Sequence, residues 1–402
     1  MRTVVVGGGA AGIAAARTLH DASRQVLLVE AGERLGGRAR SLALPEIGAT
    51  VDLGCGWLHS ARRNPWTRIA EERGFTVDRS RPNWESQWRD LGFPPDERAA
   101  YGETWQRWER AALVAVDGPD RPLSDFIPDD ERWRPLIDAV SGYVNGAPLK
   151  RVSLHDWAAY EEHATDDNWA VREGYGTLVA SFAGDVRVRL NTPVTRVDRR
   201  GRALRLETPA GAIETDRVVV AVPTTVLASG ALAFDPPLPD KQAAAADLPL
   251  GLADKVFLRV DRPEWDAGEH LIGNPDSAVT ASHRLSPFGW PVIESFFGGD
   301  GAEALEEGDA AAFALEELVG LLGSDWRSRL TPIVATRWRR EPYIGGSYSH
   351  ARIGCAGQRR VLSEPVKERI FFAGEACSAH DFSTAHGAYE AGVAAARAII
   401  SG

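Results

Sequence analysis

The sequence predicts an α/β protein with two domains, and three observations support that prediction. Its 402 residues exceed what one compact core usually holds. An apolar run at residues 3–6, an alanine-rich helical stretch at 13–20 and a second apolar run at 25–29 form a βαβ unit, which predicts a parallel sheet. Alternating strands at residues 186–215, with glycines at the turns, predict a β-meander. The remaining strands and helices predict a second domain of the α+β class.

A glycine-rich loop follows the first predicted strand and fits the pattern G-x-G-x-x-G. Gly7 allows a tight turn, Gly9 lets the backbone approach a pyrophosphate, and Gly12 lets helix and strand pack closely. Glu30 closes the second strand at about the spacing of a carboxylate that accepts hydrogen bonds from ribose hydroxyls. The unit therefore predicts a Rossmann-like dinucleotide site, with phosphates at the N-terminus of the helix.

The stretch after Glu30 narrows the choice of dinucleotide. Residues 30–38 read E-A-G-E-R-L-G-G-R, which resembles the E-A-x-x-x-x-G-G-R segment of the flavin-dependent amine oxidase superfamily. In that family the second glycine pair and the arginine hold the FAD pyrophosphate. An arginine presents planar, paired donors to phosphate oxygens. The resemblance thus implies FAD rather than NAD, with Gly37 and Arg38 at the pyrophosphate.

Three further segments resemble polyamine oxidases of this superfamily. Residues 52–59, D-L-G-C-G-W-L-H, imply a loop along the flavin ring, with Trp57 and His59 lining the substrate tunnel. The strand that contains Lys255 resembles G-x-x-x-K-V-x-L, and the family lysine holds a water against flavin N5. Lys255 is therefore the candidate catalytic residue.

Residues 338–349, W-R-R-E-P-Y-I-G-G-S-Y-S, form the third such segment. It places Trp338 against the flavin and Tyr348 beside the substrate. Ser347 stands where some relatives carry a cysteine that binds the flavin covalently. We therefore expect the FAD to be non-covalent.

The C-terminal part resembles the family signature F-A-G-E followed by T-x-H-G-A. It implies Glu375 near the ribityl chain or pyrophosphate, and the last helix with its N-terminus at flavin O2. Asp381 departs from the family, which usually has an aromatic cage residue there. Either neighbouring rings, including Phe382, rebuild the cage, or Asp381 contacts a cationic amine. The expected cofactor contacts in full are Gly7, Gly9, Ala11, Gly12, Glu30, Ala31, Gly37, Arg38, Gly54, Trp57, Val194, Trp338, Gly374, Glu375, Thr384 and Ala385.

Composition limits the partners. The formal net charge of −10 argues against a nucleic acid and is compatible with a cationic substrate. The three cysteines are few and widely spaced, so we expect no disulfide framework, no metal site and a reducing, cytoplasmic compartment. No apolar run reaches about 18 residues, so no membrane span is expected. The oligomeric state stays open.

These motifs predict how the chain divides and what it does. We expect an FAD-binding domain at residues 1–78, 174–240 and 342–402. We expect a substrate-binding domain at residues 79–173 and 241–341, and the first of these two insertions should be largely helical. The resemblance implies an FAD-dependent oxidase of an amine C–N bond, using a small amine and O₂ and releasing H₂O₂. Three alternatives stay open: an L-amino-acid oxidase, which would need an arginine such as Arg62 or Arg63 for the carboxylate; a desaturase or protoporphyrinogen-type oxidase; and a non-catalytic FAD-bound scaffold.

Overall fold

The computed structural model describes residues 2–402. In chain order its strands are β1 (Arg2–Val6), β2 (Gln25–Val29), β3 (Ser41–Leu44), β4 (Ala49–Asp52), β5 (Val77–Asp78), β6 (Ala170–Val171), β7 (Val188–Arg189), β8 (Arg196–Asp198), β9 (Leu204–Thr208), β10 (Gly211–Thr215), β11 (Arg217–Val220), β12 (Ala233–Asp235), β13 (Ala253–Val260), β14 (His270–Ile272), β15 (Ser282–Leu285), β16 (Val292–Gly298), β17 (Leu330–Ala335) and β18 (Ile370–Phe372). The helices are α1 (Ala10–Asp21), α2 (Pro65–Glu72), α3 (Pro95–Val114), α4 (Arg134–Asn145), α5 (Leu154–Glu161), α6 (Tyr175–Ser181), α7 (Thr224–Ala228), α8 (Pro239–Asp247), α9 (Asp300–Glu307), α10 (Ala310–Leu322), α11 (Gln358–Ser363) and α12 (Ala385–Ser401).

A five-stranded parallel sheet, in the order β18-β11-β1-β2-β7, forms the centre of the Rossmann-like part. Both of its faces are covered, which explains why β1 and β11 are almost continuous runs of valine. Helices α1 and α12 cover one face, and the β-meander sheet lies against the other. In parallel sheets of this kind, ligands bind at the carboxyl ends of the strands.

The meander and the second sheet complete the α/β fold. The meander sheet has the order β10-β9-β8-β12, and β12 joins it parallel to β8. The second sheet is antiparallel in the order β14-β15-β16-β13-β17. Residues of α9 and α10 pack with this sheet in one core cluster, and helices α3 and α5 form a separate core with the intervening loops.

The strand expected at residues 186–190 is shorter in the structure. It is the two-residue β7, which lies at the edge of the parallel sheet and pairs with β2 alone. An edge strand forms backbone hydrogen bonds on one side only, so its ends are held less firmly than those of a central strand. The alternating sequence pattern therefore overestimates its length. No helix in the described part of the chain is both long and apolar enough to cross a bilayer.

Candidate functional site

A cavity of about 1690 Å³ extends from the carboxyl ends of β1 and β2 to the face of the antiparallel sheet. One end is lined by the glycine loop, Glu30 and Arg38, and the other by aromatic side chains. Of the sixteen expected cofactor contacts, all but Gly12 line this cavity. The cavity therefore has one end whose residues suit a dinucleotide, the nucleotide end, and one lined by aromatic side chains, the apolar end.

The glycine loop has the backbone geometry that its sequence requires. Gly7 has φ +103°, and a Cβ there would lie 2.4 Å from the Ala221 carbonyl oxygen. A Cβ on Gly12 would lie 1.8 Å from the Gly7 oxygen, so Gly12 serves helix packing rather than the cavity wall. A Cβ on Gly9 would meet only the Gly36 oxygen, at 4.0 Å, which leaves open space where a phosphate can approach.

Glu30 holds two loops together at the nucleotide end. Its Oε2 accepts from the Gly8 N–H at 2.6 Å, and its Oε1 accepts from the Gly32 N–H at 2.7 Å. Each carboxylate oxygen has a further lone pair for a ribose hydroxyl. Glu30 therefore has a structural task beside the ligand contact that the sequence predicts.

Arg38 and Glu375 belong to one buried network. Arg38 Nη1 donates to Glu375 Oε1 at 2.8 Å and to the Ser347 carbonyl at 2.6 Å. Glu375 Oε2 accepts from the Ser349 hydroxyl at 2.6 Å and from the Ser383 N–H at 3.0 Å. Burial alone would raise the pKa of Glu375, but Arg38, the Ser349 hydroxyl and neighbouring charges together lower it. The carboxylate stays ionised and holds the Arg38 guanidinium at the cavity wall.

Ser347 occupies the position at which a cysteine could bind the flavin covalently. Ser347 Oγ donates to the Ala253 carbonyl and accepts from the Ala253 N–H, both at 2.8 Å. The hydroxyl therefore ties this segment to β13. A serine oxygen cannot form the thioether that a cysteine forms, so these residues fit a flavin that is bound without a covalent link.

Lys255 is buried at the wall between the two ends of the cavity. Its Nζ forms a 2.7 Å ion pair with Glu294 Oε1 and donates to the Asp52 carbonyl at 2.9 Å. An ammonium has three N–H donors, so one remains for a water or ligand in the cavity that Lys255 lines. The lysine comes from β13 and the glutamate from β16, two neighbouring strands of the antiparallel sheet.

The expected substrate-binding rings lie together at the apolar end. Trp338 is buried, and its indole N–H donates to the Leu53 carbonyl at 3.2 Å. Trp57 packs edge to face on Trp84, with ring centroids 5.1 Å apart. The Tyr348 hydroxyl donates to the Tyr143 carbonyl.

His59 and Phe382 also line the cavity, each with a defined neighbour. His59 Nδ1 lies 2.6 Å from the Asn168 side-chain oxygen, and burial lowers the pKa of His59 to about 4. The ring is neutral at pH 7. Phe382 packs against Tyr160 with centroids 5.6 Å apart, and the Arg359 guanidinium lies 3.6 Å from its centroid. Phe382 and Tyr160 thus form an aromatic corner beside the position of Asp381.

The structure does not support the suggested contact between Asp381 and a cationic amine. Asp381 lies outside the cavity lining, and its carboxylate pairs with the Arg63 guanidinium at 2.5 Å and with His386 Nε2 at 3.0 Å. Burial raises its pKa, but hydrogen bonds from His386 and Arg63 outweigh burial and lower it. The same pairing occupies Arg63, one of the arginines suggested for a substrate carboxylate. Asp381 is better described as an anchor for the turn before α12.

Several lining residues were not identified from the sequence. Glu294, Arg284 and Tyr160 line the cavity, and each comes from a segment without a recognisable motif. For Glu294 a signal was present, since a single acid interrupts the apolar run of β16 and lies opposite β13 in the sheet. A charged residue inside a buried strand needs a partner, as Lys255 does.

Comparison with known proteins assigns the family. The sequence model of the family described as flavin containing amine oxidoreductase matches residues 121–400, and a model of the NAD(P)-binding Rossmann-like domain matches residues 5–72. Polyamine oxidase 2 from Arabidopsis thaliana is 28% identical over 98% of this chain and 86% of its own length. The mouse lysine-specific histone demethylase 1B is 26% identical over 97% of this chain but 52% of its own length.

Solved structures share the whole fold. Cyclohexylamine oxidase from Brevibacterium oxydans IH-35A superposes with a TM-score of 0.81 at 21% identity, covering 100% of this chain and 98% of the neighbour. Wild-type putrescine oxidase bound to putrescine gives a TM-score of 0.79 at 22% identity, covering 100% and 99%. At these identities the neighbours establish the fold alone, whereas the family model covers more than half of the chain. The protein therefore belongs to the flavin-containing amine oxidoreductases, whose FAD cofactor fits the nucleotide end of this cavity.

Proposed function

We propose that this enzyme oxidises the C–N bond of a small amine and passes the electrons to O₂. In the balanced reaction, amine, O₂ and water give a carbonyl compound, ammonia or a shorter amine, and H₂O₂. FAD held by the glycine loop, Glu30 and Arg38 would supply the two-electron chemistry that links oxidation of the amine to reduction of O₂. The single observation that carries this proposal is the buried Lys255–Glu294 pair in the cavity wall.

Lys255 has a task in both halves of the proposed reaction. A cation held at a fixed place stabilises negative charge that develops beside it, and a preorganised site makes that effect large. Glu294 and the Asp52 carbonyl fix the ammonium through two of its donors. The third donor can hold a water that moves protons during imine hydrolysis or O₂ reduction. A lysine in an apolar strand without such a role would be costly to bury.

The apolar end suits a neutral amine, the form that can lose hydride. Aromatic rings from Trp57, Trp338 and Phe382 displace water, and desolvation penalises the ammonium form of the amine. His59 and His270 line the same space, and burial lowers the pKa of each to about 4, so both are neutral at pH 7. These residues bind and orient the amine and keep water out.

The alternatives differ in their support from the site. Neither arginine suggested from the sequence for an L-amino-acid oxidase is free at the cavity, because Arg63 is paired with Asp381 and the Arg62 side chain is 78% exposed, so a carboxylate-binding arginine would have to come from another segment. A desaturase or protoporphyrinogen-type oxidase acts on an apolar substrate and does not explain the buried Lys255. A non-catalytic scaffold predicts no turnover, so H₂O₂ release from any amine would exclude it.

We also propose the domain division that the motifs suggest. The five strands of the parallel sheet come from the three FAD-binding segments, and β13 to β17 all come from residues 241–341. That segregation supports one cofactor domain built from three pieces and one substrate domain built from two insertions.

Lys255→Met tests the catalytic proposal. Methionine fills a similar volume, so packing and FAD content should survive. Flavin reduction by amine, reoxidation by O₂, or both should slow on the order of 10²-fold, because a preorganised charge is lost. Rapid-mixing absorbance of the flavin measures each half-reaction, after a panel of amines assayed for H₂O₂ has identified a substrate.

Two controls make the result specific. Lys241→Met removes another buried lysine, whose Nζ donates to carbonyls of the segment that contains α11, and it should leave both rates unchanged. The double variant Lys255→Met with Glu294→Gln separates loss of the cation from the unpaired glutamate. If both rates of Lys255→Met stay within about threefold of the parent, a change under 1 kcal/mol, Lys255 is structural and the proposal fails.

A further inference from the structure

Arg284 is a cation in the cavity wall that forms no ion pair, although Glu294, Asp78 and Asp52 lie near enough to act on it electrostatically. Its guanidinium carbon lies 4.5 Å from the centre of the Trp57 ring and 5.2 Å from that of Phe288. In residues 2–402, no oxygen accepts a hydrogen bond from this guanidinium, and no carboxylate oxygen lies within 4.0 Å of it. Glu294 faces it across the strands but is already committed to Lys255. A partly buried guanidinium with five unused donors indicates a missing acceptor.

The register of the antiparallel sheet places Arg284 on the substrate side. Directly opposed residues of neighbouring strands share a face, and here Arg284 is opposite Glu294, while Lys255 is opposite Phe296. These four side chains all line the cavity. Arg284 and Lys255 are two strands and two residues apart, so their Cα atoms are separated by roughly 12 Å. A small ligand that reaches from one to the other fits within that span.

The charges of the apolar end do not favour a second ammonium group. The lining carboxylates near this end are Glu85, Glu161 and Glu294. Glu85 is exposed, desolvation raises the pKa of Glu161 to about 7 so that it carries only part of a charge, and Glu294 is paired with Lys255. A diamine or polyamine would therefore place its distal cation beside the Arg284 guanidinium, where like charges repel. A ligand with an anionic group at that position would instead neutralise the guanidinium.

We propose that Arg284 binds a carboxylate of the substrate, so that the amine carries a carboxylate on its carbon skeleton. This inference rests on the proposed amine oxidation for the reaction and on the cavity geometry for the binding. The Trp57 and Phe288 rings lie at cation–π distance from the guanidinium, whose donors make no hydrogen bond within the protein and so can form a two-point contact with carboxylate oxygens. The required arginine comes from β15, not from the loop of Arg62 and Arg63, and no local motif marks it.

Binding is tested first, in a way that does not need turnover. Calorimetry on the FAD-loaded enzyme measures 3-phenylpropionate, which has a carboxylate and no amine, against 3-phenylpropanol, which has neither. The carboxylate should bind at least about tenfold more tightly than the alcohol, and Arg284→Gln should abolish the difference. Arg284→Lys should keep part of it, because the charge remains but the planar fork is lost.

A matched control separates this site from general electrostatics. Arg172→Gln removes an arginine that lies 5.7 Å from the centre of the same Phe288 ring but outside the cavity lining. It should leave 3-phenylpropionate binding unchanged. The flavin absorbance of every variant shows whether the protein is folded and loaded. Equal binding of acid and alcohol, or an unchanged preference in folded Arg284→Gln, overturns the proposal.

Turnover then identifies the substrate class. H₂O₂ release is compared for matched pairs, phenylalanine with phenethylamine for α-amino acids, and 4-aminobutyrate with butylamine for ω-amino acids. In one pair the carboxylate member should have a kcat/KM higher by about tenfold or more, and Arg284→Gln should reverse that order. Oxidation of the plain amines without such a preference contradicts the role of Arg284 and leaves the proposed function standing. Arg284-dependent binding of 3-phenylpropionate without oxidation of any amine contradicts the proposed function and leaves the carboxylate site standing.

Discussion

Single residues show how one side chain combines folding and binding at this site. Glu30 accepts two backbone N–H bonds, from Gly8 and Gly32, and also lines the nucleotide end of the cavity. Its substitution removes an acceptor for ribose and releases the two loops that shape the phosphate site. Both changes weaken FAD binding, so the substitution should lower FAD affinity more than it lowers the stability of the fold.

Glu30→Ala should therefore lower FAD content. The ratio of flavin absorbance to protein absorbance after purification, and its recovery on titration with FAD, measure the effect. Loss of hydrogen bonds to a charged acceptor predicts affinity weaker by about 10- to 100-fold. Glu46→Ala, at an exposed glutamate in the turn between β3 and β4, should keep the parent ratio. Full flavin occupancy in Glu30→Ala would contradict the assignment of the N-terminal unit.

The residue scale also shows where sequence reasoning stops. The roles of Gly7 and Glu30 depend on neighbours within one βαβ unit, so spacing alone is informative. The pairing of Lys255 with Glu294 and the position of Arg284 depend on sheet register between distant strands. Asp381 was ambiguous for the same reason, since its partner Arg63 lies far away in the chain. A pattern predicts which face a residue occupies but not which residue it meets.

Elements whose stability is mainly local were predicted well. The insertion expected to be largely helical, at residues 79–173, contains the helices Pro95–Val114 and Arg134–Asn145, and the strand expected at 25–29 has those bounds. Each has an apolar periodicity with a proline or glycine near its end. The βαβ unit predicted that the strands of the central sheet are parallel. Its strand order was not, because β11 and β18 join from distant segments.

One buried ion pair joins the helical insertion to the cofactor site. Asp156 of α5 binds Arg359 of α11 through two contacts, at 2.6 and 2.8 Å, and each side chain is 2% exposed. Arg359 also donates to the Ser349 hydroxyl, which donates to Glu375. The pair therefore holds α5, the Ser349 segment and the Phe382 ring in one arrangement.

Asp156→Asn should destabilise the protein strongly. Removing one partner leaves a buried guanidinium without its counter-charge, which costs about 3–5 kcal/mol of unfolding free energy. Urea unfolding followed by tryptophan fluorescence measures the loss. Asp125→Asn, which breaks the more exposed pair with Arg121, should change the unfolding free energy by less than about 1 kcal/mol. Equal effects of the two substitutions would show that the buried pair contributes no more than a surface pair.

At the scale of the whole molecule, two sheets of different type share one cavity. The parallel sheet supplies the carboxyl-end loops that suit a dinucleotide, and the antiparallel sheet supplies a face of alternating side chains. A short sequence motif predicts the dinucleotide loops, whereas the substrate face exists only after strands from residues 253–298 have paired. This division explains why the cofactor was predictable from the sequence and the substrate was not.

The buried histidines make the stability of the whole protein depend on pH. Burial lowers the pKa of His59, His270 and His350 to about 4 each, whereas a histidine in the unfolded chain has a pKa near 6.5. Between these values the unfolded state binds more protons, so the unfolding free energy falls as the pH falls. From pH 7 to pH 5 each histidine costs about 2 kcal/mol. Asp254 and Glu161 act in the opposite direction, since desolvation raises their pKa values to about 6 and about 7, and Asp254 alone returns about 1 kcal/mol.

His350→Asn isolates one part of this pH dependence. His350 is buried and lies outside the cavity lining, so the substitution should leave FAD content unchanged. Urea unfolding at pH 5, 6 and 7 should show a parent whose unfolding free energy falls by a few kcal/mol toward pH 5. In the variant that fall should be smaller by about 2 kcal/mol, because the titrating group is gone. At pH 7, where the histidine is neutral in both states, only a pH-independent packing effect should remain. A variant with the same slope as the parent would show that His350 does not exclude its proton in the folded state.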